Sequence, residues 1–178
     1  MAAAAYASLR LNLLFAAPGT MGNRLLLVGP SLGAGVSLTC ANLAIALAGS
    51  GKRVAVVDAD LRHGVQHRLF NVDGSGGLSE VLTGKVGWRE RLRKSGATGV
   101  DVLPAGPFPP NPMELLASSR MGAILAELSA VYDAVLIDTP PILSSTEVAA
   151  CLIRLADGVF LVARTGKTTL DHAMSAKA

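Results

Sequence analysis

The residues best suited to chemistry lie in a glycine-rich segment, Gly29–Thr39 (GPSLGAGVSLT), between an apolar strand-like run and an apolar helix-like run. A loop in this position wraps backbone N–H groups around phosphate oxygens and directs the positive end of the following helix at them. Gly33 and Gly35 let the backbone approach a ligand without an intervening Cβ. The hydroxyl of Ser37 stands where it would ligate magnesium. The segment therefore predicts a phosphate-binding loop.

The loop departs from the full phosphate-loop pattern, GxxxxGK(S/T), at two positions. Pro30 stands at the first glycine of the pattern, and Val36 stands at its lysine. That lysine is the residue that reaches the β- and γ-phosphates. A strand–glycine loop–helix joint also serves many α/β proteins as a plain turn. On the loop alone, both interpretations stay open.

Two acidic sites follow the ends of apolar strand-like runs. Asp58 and Asp60 end one run (VAVVDAD), and Asp138 ends another (AVLID) before a threonine and two prolines. Carboxylates at strand ends beside a phosphate loop can hold magnesium or its waters, because hard cations prefer oxygen ligands. A single aspartate also commonly ends a strand as a turn former or helix cap. The order of glycine loop, first acidic site and second acidic site favours a nucleotide site.

Apolar runs alternate with helical stretches along the whole chain, which predicts right-handed βαβ units in a doubly wound, mainly parallel sheet flanked by helices. Ligands of such sheets sit at the carboxyl ends of the strands, so the glycine loop and both acidic sites would share one edge. We predict an N-terminal helix and linker over residues 1–22 and one α/β domain over residues 23–178. The predicted strands are Arg24–Gly29, Arg53–Asp58, Val100–Pro104, Asp133–Asp138 and Gly158–Ala163, and the predicted helices are Ser37–Gly49, Gly77–Thr83, Trp88–Lys94, Met121–Val131 and Ser145–Leu155.

The composition fits a sheet buried on both faces. Hydrophobic residues make up 51% of the chain and aromatic residues only 4%, which predicts an aliphatic core. The formal net charge is +3, and the basic residues clustered in 89–94 have no interleaved aromatic residues. We therefore predict a solvated helix face there and no nucleic-acid partner. Cys40 and Cys151 lack CxxC spacing and are predicted to be free thiols.

Taken in order, the glycine loop and the two acidic sites resemble the Walker A, Walker A′ and Walker B motifs of bacterial protein-tyrosine kinases. These enzymes govern capsule and exopolysaccharide export and are relatives of the MinD/ParA-type P-loop ATPases. The resemblance covers nearly the whole chain. The segments typical of the kinase group rather than of MinD or ParA are His67–Phe70, Gly77–Leu82, Leu103–Leu116 and Asp157–Thr169.

The resemblance implies that ATP and Mg²⁺ are the ligands and that a tyrosine hydroxyl accepts the γ-phosphate. It implies that Asp58 and Asp60 are the Walker A′ carboxylates, the first helping to deprotonate the tyrosine. It likewise implies that Asp138 holds magnesium through water, with Ser37 and Asp58 also at the metal. The nucleotide-binding residues that it implies are Gly33, Ala34, Gly35, Val36, Ser37, Leu38 and Thr39.

Two residues of the loop depart from the family. Val36 replaces the lysine, and Leu38 replaces a hydroxyl residue. Losing a charge-assisted contact to phosphate costs about 1.5–3 kcal/mol in binding, and losing charge stabilisation in the transition state costs about 3–4 kcal/mol more. We therefore expect a rate deficit of at least about a thousandfold.

Gly166–Thr169 (GKTT) imitates the end of a phosphate loop, but Leu161 stands at its first glycine position, so we predict that Lys167 does not replace the missing lysine.

The resemblance also bears on partners and assembly. The family's kinase domains form rings through an ExxRxxR motif, and those positions hold Ala4, Ala7 and Arg10 here, so we expect homo-oligomers to be weakened. A membrane chain-length-regulating protein is the implied activator, which places the chain in the cytoplasm at the inner face of the plasma membrane. The family ends with a further strand and a tyrosine-rich tail, and we expect this chain to be truncated before both. Its two tyrosines, Tyr6 and Tyr132, are not clustered.

Two alternatives to an active kinase also fit this sequence. A non-catalytic pseudokinase would serve as a scaffold of the export machinery without using ATP. A MinD/ParA-like ATPase is disfavoured, because those loops carry an additional early lysine and this loop has none. His63 and His67 have the i,i+4 spacing of two metal ligands on one helical face, but no third ligand is evident, so no zinc site is predicted.

Overall fold

The computed structural model describes residues 2–16, 22–144, 146–169, 171 and 174. Within them, helices and strands alternate as the sequence predicts. The strands are β1 (Arg24–Val28), β2 (Val54–Asp58), β3 (Arg93–Lys94), β4 (Val100–Leu103), β5 (Ala134–Asp138) and β6 (Gly158–Leu161). The helices are α1 (Ala2–Ala16), α2 (Val36–Ala48), α3 (Gln66–Leu69), α4 (Leu78–Leu82), α5 (Trp88–Arg91), α6 (Pro112–Ala117), α7 (Ser119–Val131) and α8 (Thr146–Ile153), with a 3-10 turn at Ile142–Ser144.

The strands form one six-stranded sheet in the order β3-β4-β2-β5-β1-β6. All strand pairs are parallel except β3 with β4, so the predicted mainly parallel, doubly wound sheet is confirmed. β5 lies between β2 and β1, although it follows both in the chain. In this register Asp58 stands directly opposite Asp138.

Two apolar layers cover the two faces of the sheet. In β1, Leu25 and Leu27 pack into the layer under α2, whereas Leu26 and Val28 pack into the layer under α4, α7 and α8. All five residues of β2 are buried. This burial on both faces is what a parallel sheet flanked by helices requires.

The helix predicted over Trp88–Lys94 is wrong in its second half. α5 ends at Arg91, and the next residues form β3, a short antiparallel edge strand beside β4. Nζ of Lys94 lies 2.6 Å from a carboxylate oxygen of Asp101 on β4, a cross-strand ion pair that favours the extended form. Short strands with charged residues are common at sheet edges. Here a tertiary pairing overrides the helical propensity of the segment.

Most of the basic cluster at 89–94 is paired with carboxylates. Arg91 contacts Glu80 at 2.8 Å, and Arg93 contacts Asp73 at 3.4 Å. The guanidinium of Arg89 stacks on the ring of Trp88 at 4.2 Å. These contacts leave little unpaired positive charge on that surface.

The N-terminal helix α1 packs on α2. Nη1 of Arg10 donates a hydrogen bond to the carbonyl of Ala46 at 3.3 Å, and Leu9 packs against the layer under α2. The one charged residue at the ExxRxxR positions is therefore engaged within its own chain. The linker that follows α1 and position 145 of the predicted last helix fall outside the described residues.

No helix in the described part of the chain combines the length and the apolar character that crossing a membrane requires.

Both cysteines are free, as predicted; Cys40 is buried and Cys151 is half-buried.

Candidate functional site

The connection from β1 to α2 forms an open loop of backbone at the carboxyl edge of the sheet. Gly33 and Gly35 have φ angles of +79° and +95°, in the left-handed region that glycine adopts without strain. A Cβ added at Gly35 would meet no atom within 4 Å, so open space borders the loop at this point. α2 begins at Val36, and the N–H groups of its first turn have no partners within the helix. The loop therefore offers backbone donors to an anion.

Val36, at the lysine position, packs within the protein. A Cβ added at Gly29 would lie 2.6 Å from Cγ2 of Val36, and Val36 also packs against the layer under α2. Around it, Ala34 is buried, Ser37 and Thr39 are half-buried, and Leu38 is 56% exposed. The structure thus brings the predicted loop residues together and leaves position 36 apolar.

Asp58 and Asp138 lie side by side at the ends of β2 and β5. Both are fully buried, with 0% of the residue surface exposed. Leu27 of β1 is the register partner of Asp138 on its other side, so β1 brings the glycine loop to the same edge. Ser37 lies close enough to Asp138 to lower the pKa of that carboxyl, which places the first turn of α2 beside the carboxylates. Ser37, Asp58 and Asp138, the predicted metal residues, therefore converge.

Gln66, at the start of α3, joins these groups. Its backbone N–H donates to Oδ2 of Asp58 at 2.9 Å. Its side-chain Nε2 donates to Oδ2 of Asp138 at 2.8 Å and to the carbonyl of Ser37 at 3.0 Å. Gln66 is itself fully buried. One glutamine thus fixes the orientation of both carboxylates and ties them to the loop.

The second oxygen of each carboxylate has no hydrogen-bond partner. Oδ1 of Asp58 and Oδ1 of Asp138 are both buried and unpaired. Burial raises the pKa of Asp58 well above its usual range, and the nearby charge of Asp138 raises it further. Burial likewise raises the pKa of Asp138, against the opposing effects of the hydrogen bond from Gln66 and of the nearby Ser37. Two buried acids without a counter-charge cost free energy that a bound cation would recover.

Magnesium fits this donor set. Orphaned carboxylate oxygens and a serine hydroxyl are the ligands that hard cations prefer. Among the described residues, no three histidine, cysteine or acidic side chains form a ready-made metal cluster. Magnesium usually keeps several waters and takes further oxygens from substrate phosphates, so two carboxylates and a hydroxyl suffice for such a site.

Asp60 differs from the other two carboxylates. Its Oδ1 accepts the backbone N–H groups of Arg62 at 3.2 Å and His63 at 2.9 Å, so it shapes the turn after β2. Asp60 also lines a neighbouring cavity of about 530 Å³, together with Leu32, Pro112 and Pro141. The structure therefore places Asp60 at the wall of this cavity, next to the carboxylate pair.

Two residues of the site escape sequence reasoning. Gln66 carries no motif, because a lone glutamine before a short helix has no characteristic pattern. Lys167 has a motif, GKTT, but its spacing argues against a second phosphate loop. The structure nonetheless brings it to the first loop, since a Cβ added at Gly33 would lie 2.3 Å from Nζ of Lys167.

Comparison with known proteins agrees with this geometry. A family model described as AAA domain (AAA_31) matches residues 32–175. Over 172 residues the chain is 40% identical to tyrosine-protein kinase YwqD of Bacillus subtilis, covering 97% of this chain and 72% of that protein. This chain belongs to the bacterial tyrosine-kinase family. The kinase domain of the Escherichia coli tyrosine kinase ETK superposes on it with a TM-score of 0.94 at 37% identity, covering 98% of this chain and 68% of that one.

The relation of this bacterial tyrosine-kinase fold to MinD is also confirmed. MinD of Pyrococcus horikoshii, solved with Mg-ADP, superposes with a TM-score of 0.69 at 25% identity and covers 80% of this chain and 58% of that one. The chain spans 72% of YwqD but only 22–24% of several other tyrosine-protein kinases that it matches.

Proposed function

We propose that this chain is the nucleotide-binding part of a protein-tyrosine kinase that transfers the γ-phosphate of ATP to a tyrosine hydroxyl. The observation that carries the proposal is the buried, register-matched pair Asp58 and Asp138, which meets the glycine loop at one sheet edge. Membership of the tyrosine-kinase family favours this reaction over others that use the same fold.

Each group at the site has a role in that reaction. The amides of the glycine loop would bind the phosphate oxygens, and Ser37 and Asp138 would hold magnesium. When bound, magnesium neutralises charge on the transferring phosphoryl group. Asp58 would take the proton of the tyrosine hydroxyl, because its buried Oδ1 has no hydrogen-bond partner and is free to accept one. The cavity beside Asp60 has room for an acceptor side chain.

Val36 sets the expected rate. Without a cation at the β- and γ-phosphates, the rate of phosphotransfer should be at least about a thousandfold lower than in a kinase that carries the loop lysine. The chain is therefore a slow kinase unless another cation fills that place. A fully inactive site would leave a pseudokinase scaffold, and Val36 is the observation that favours this second candidate.

The wider context follows from the family resemblance. We infer a role in capsule or exopolysaccharide export, a membrane chain-length-regulating protein as activator, and a place at the cytoplasmic face of the membrane through that partner. Self-assembly through α1 is weakened, because Ala4 and Ala7 are uncharged and Arg10 contacts α2.

Tyr132 does not serve as an acceptor while the domain is folded, because it is buried and its hydroxyl donates to Asp101 at 2.6 Å.

Titration with a fluorescent ATP analogue tests nucleotide binding directly. We expect saturable binding that strengthens with magnesium and loses its magnesium dependence in Asp138→Asn. Asp133→Asn is the matched control, since Asp133 lies just before the same strand at the opposite edge and pairs with Arg53. Absence of saturable binding in the wild-type chain would exclude the kinase and leave the scaffold.

A revertant separates the kinase from a MinD-like ATPase. Val36→Lys restores the lysine of the phosphate loop, so its ATP turnover can be measured with and without a tyrosine-containing peptide. A kinase transfers phosphate to the peptide, whereas an ATPase releases phosphate at the same rate in both conditions. A revertant that binds ATP but never phosphorylates tyrosine contradicts the kinase proposal.

A further inference from the structure

The loop that follows β6 runs beside the phosphate loop. β6 pairs in parallel with β1, and the backbone N–H of Val162 extends this pairing by donating to the carbonyl of Val28 at 2.7 Å. The chain then forms a turn in which the carbonyl of Arg164 accepts the N–H groups of Lys167 at 3.1 Å and Thr168 at 2.8 Å. The backbone that carries Lys167 is therefore fixed at the same sheet edge as the glycine loop.

The ammonium group of Lys167 lies against Gly33. A Cβ added at Gly33 would lie 2.3 Å from Nζ and 3.1 Å from Cε of Lys167, so the lysine end occupies the space that any other residue at position 33 would need. In the part of the chain that the structure describes, no carboxylate forms an ion pair with Lys167. An exposed cation is thus brought to a loop of backbone donors without an anionic partner of its own.

The side chains of Val36, Asp58 and Asp138 supply no positive charge to a polyphosphate bound at the glycine loop. Val36 packs toward Gly29 and contributes no charge to the loop. On the other side, Asp58 and Asp138 are acidic and repel a polyphosphate unless a cation intervenes. Magnesium accounts for the carboxylates, and a second positive group is needed where the phosphate-loop lysine would act.

We propose that Lys167 supplies the phosphate-binding cation that position 36 lacks. Its ammonium approaches the β- and γ-phosphates of ATP from the β6 side, whereas the lysine of the full motif approaches from the first turn of α2. The long, flexible lysine stem with a compact charge allows this substitution from a neighbouring loop. The inference rests on the proposed function, because it assigns the charge of Lys167 to the same triphosphate site.

Equilibrium binding of fluorescent ATP and AMP analogues tests the proposal in the full chain with magnesium. Lys167→Ala should weaken ATP binding about tenfold or more, since a hydrogen bond to a charged group is lost. AMP, which has no β- or γ-phosphate, should bind both proteins equally. Lys167→Arg should retain most of the ATP affinity, because the positive charge remains. Lys52→Ala is the matched control, since Lys52 is exposed before β2 at the opposite sheet edge.

A second variant pair tests whether Lys167 and position 36 act on the same phosphates. Val36→Lys should raise ATP affinity far more in the Lys167→Ala background than in the wild-type chain, because two cations serving one role are not additive. Equal gains in both backgrounds, or equal affinities of Lys167→Ala and Lys52→Ala in a chain that binds ATP, overturn the assignment of Lys167 and leave the proposed function intact. A wild-type chain that does not bind ATP overturns the proposed function itself.

Discussion

The carboxylates of Asp58 and Asp138 stand side by side as register partners on β2 and β5, both fully buried. Neither takes part in an ion pair within the described ranges. The fold therefore holds two acids close together in an apolar sheet, an arrangement that stabilises a bound cation and destabilises the ligand-free domain.

Asp58→Asn should stabilise the ligand-free domain at neutral pH by about 1–3 kcal/mol, because it removes a buried charge next to Asp138. The same substitution should abolish phosphotransfer, because an amide is no base. Chemical denaturation without magnesium measures the first effect. Asp101→Asn is the control. Asp101 is also buried, but it accepts a hydrogen bond from the Tyr132 hydroxyl and forms an ion pair with Lys94, so this variant should be less stable than the wild-type domain. If both variants were equally destabilised, the negative charge of Asp58 would not be what destabilises the ligand-free domain.

The stability of the ligand-free domain should fall as pH rises above about 4. An ordinary aspartate has a pKa of about 3.9. Because burial raises the pKa of Asp58 and Asp138, the folded state keeps protons that the unfolded chain releases. Their contribution to stability is therefore present at low pH and is lost as pH rises through the raised values. Thermal unfolding between about pH 4 and pH 8 measures this slope, and saturating magnesium with nucleotide should flatten it. An unchanged slope in the Asp58→Asn, Asp138→Asn double variant would show that other groups cause it.

Gln66→Leu should lower the free energy of unfolding by about 1–3 kcal/mol, because it removes the buried donor to Asp138 and to the Ser37 carbonyl. It should also weaken magnesium-dependent nucleotide binding, since Asp138 loses the group that orients it. Denaturation and nucleotide titration measure the two effects. Asn42→Leu is the matched control, because that amide donates only to the Leu38 carbonyl at an exposed site. Its change in stability should stay within about 0.5 kcal/mol. Similar losses in both variants would argue against a special role for Gln66.

Val36→Lys should raise ATP affinity and phosphotransfer, because it adds a cation where the phosphate loop of the family carries one. The gain in binding should be up to about 1.5–3 kcal/mol, and smaller if Lys167 already contacts the phosphates. Leu38→Lys serves as the control, since Leu38 lies on the same helical turn with 56% of its surface exposed. A non-specific effect of added charge would make the two variants alike.

Much of the fold follows from the sequence because strand ends, glycines and apolar periodicity are local signals. The segments ending at Asp58 and Asp138 are short apolar runs closed by an acid, and the structure pairs them where a parallel sheet requires. The β3 edge strand depends on its antiparallel pairing with β4, and no local pattern in the sequence contains that pairing.

The site was harder to predict than the fold, because two of its contacts depend on sheet order. Lys167 reaches Gly33 only because β6 lies next to β1. Gln66 bridges Asp58 and Asp138 only because β5 lies next to β2. A sequence motif describes residues that are near each other along the chain, so it cannot show that β6 lies next to β1 or that β5 lies next to β2.

The position of β5 between β1 and β2 has a consequence for biosynthesis. The glycine loop and Asp58 leave the ribosome early, yet a whole strand separates them in the finished sheet. A nascent chain that ends before Ala134 has both halves of the nucleotide site without the piece that sets their spacing. The edge of the sheet that carries Asp58, Asp138 and the glycine loop is therefore complete only after this central strand has been inserted.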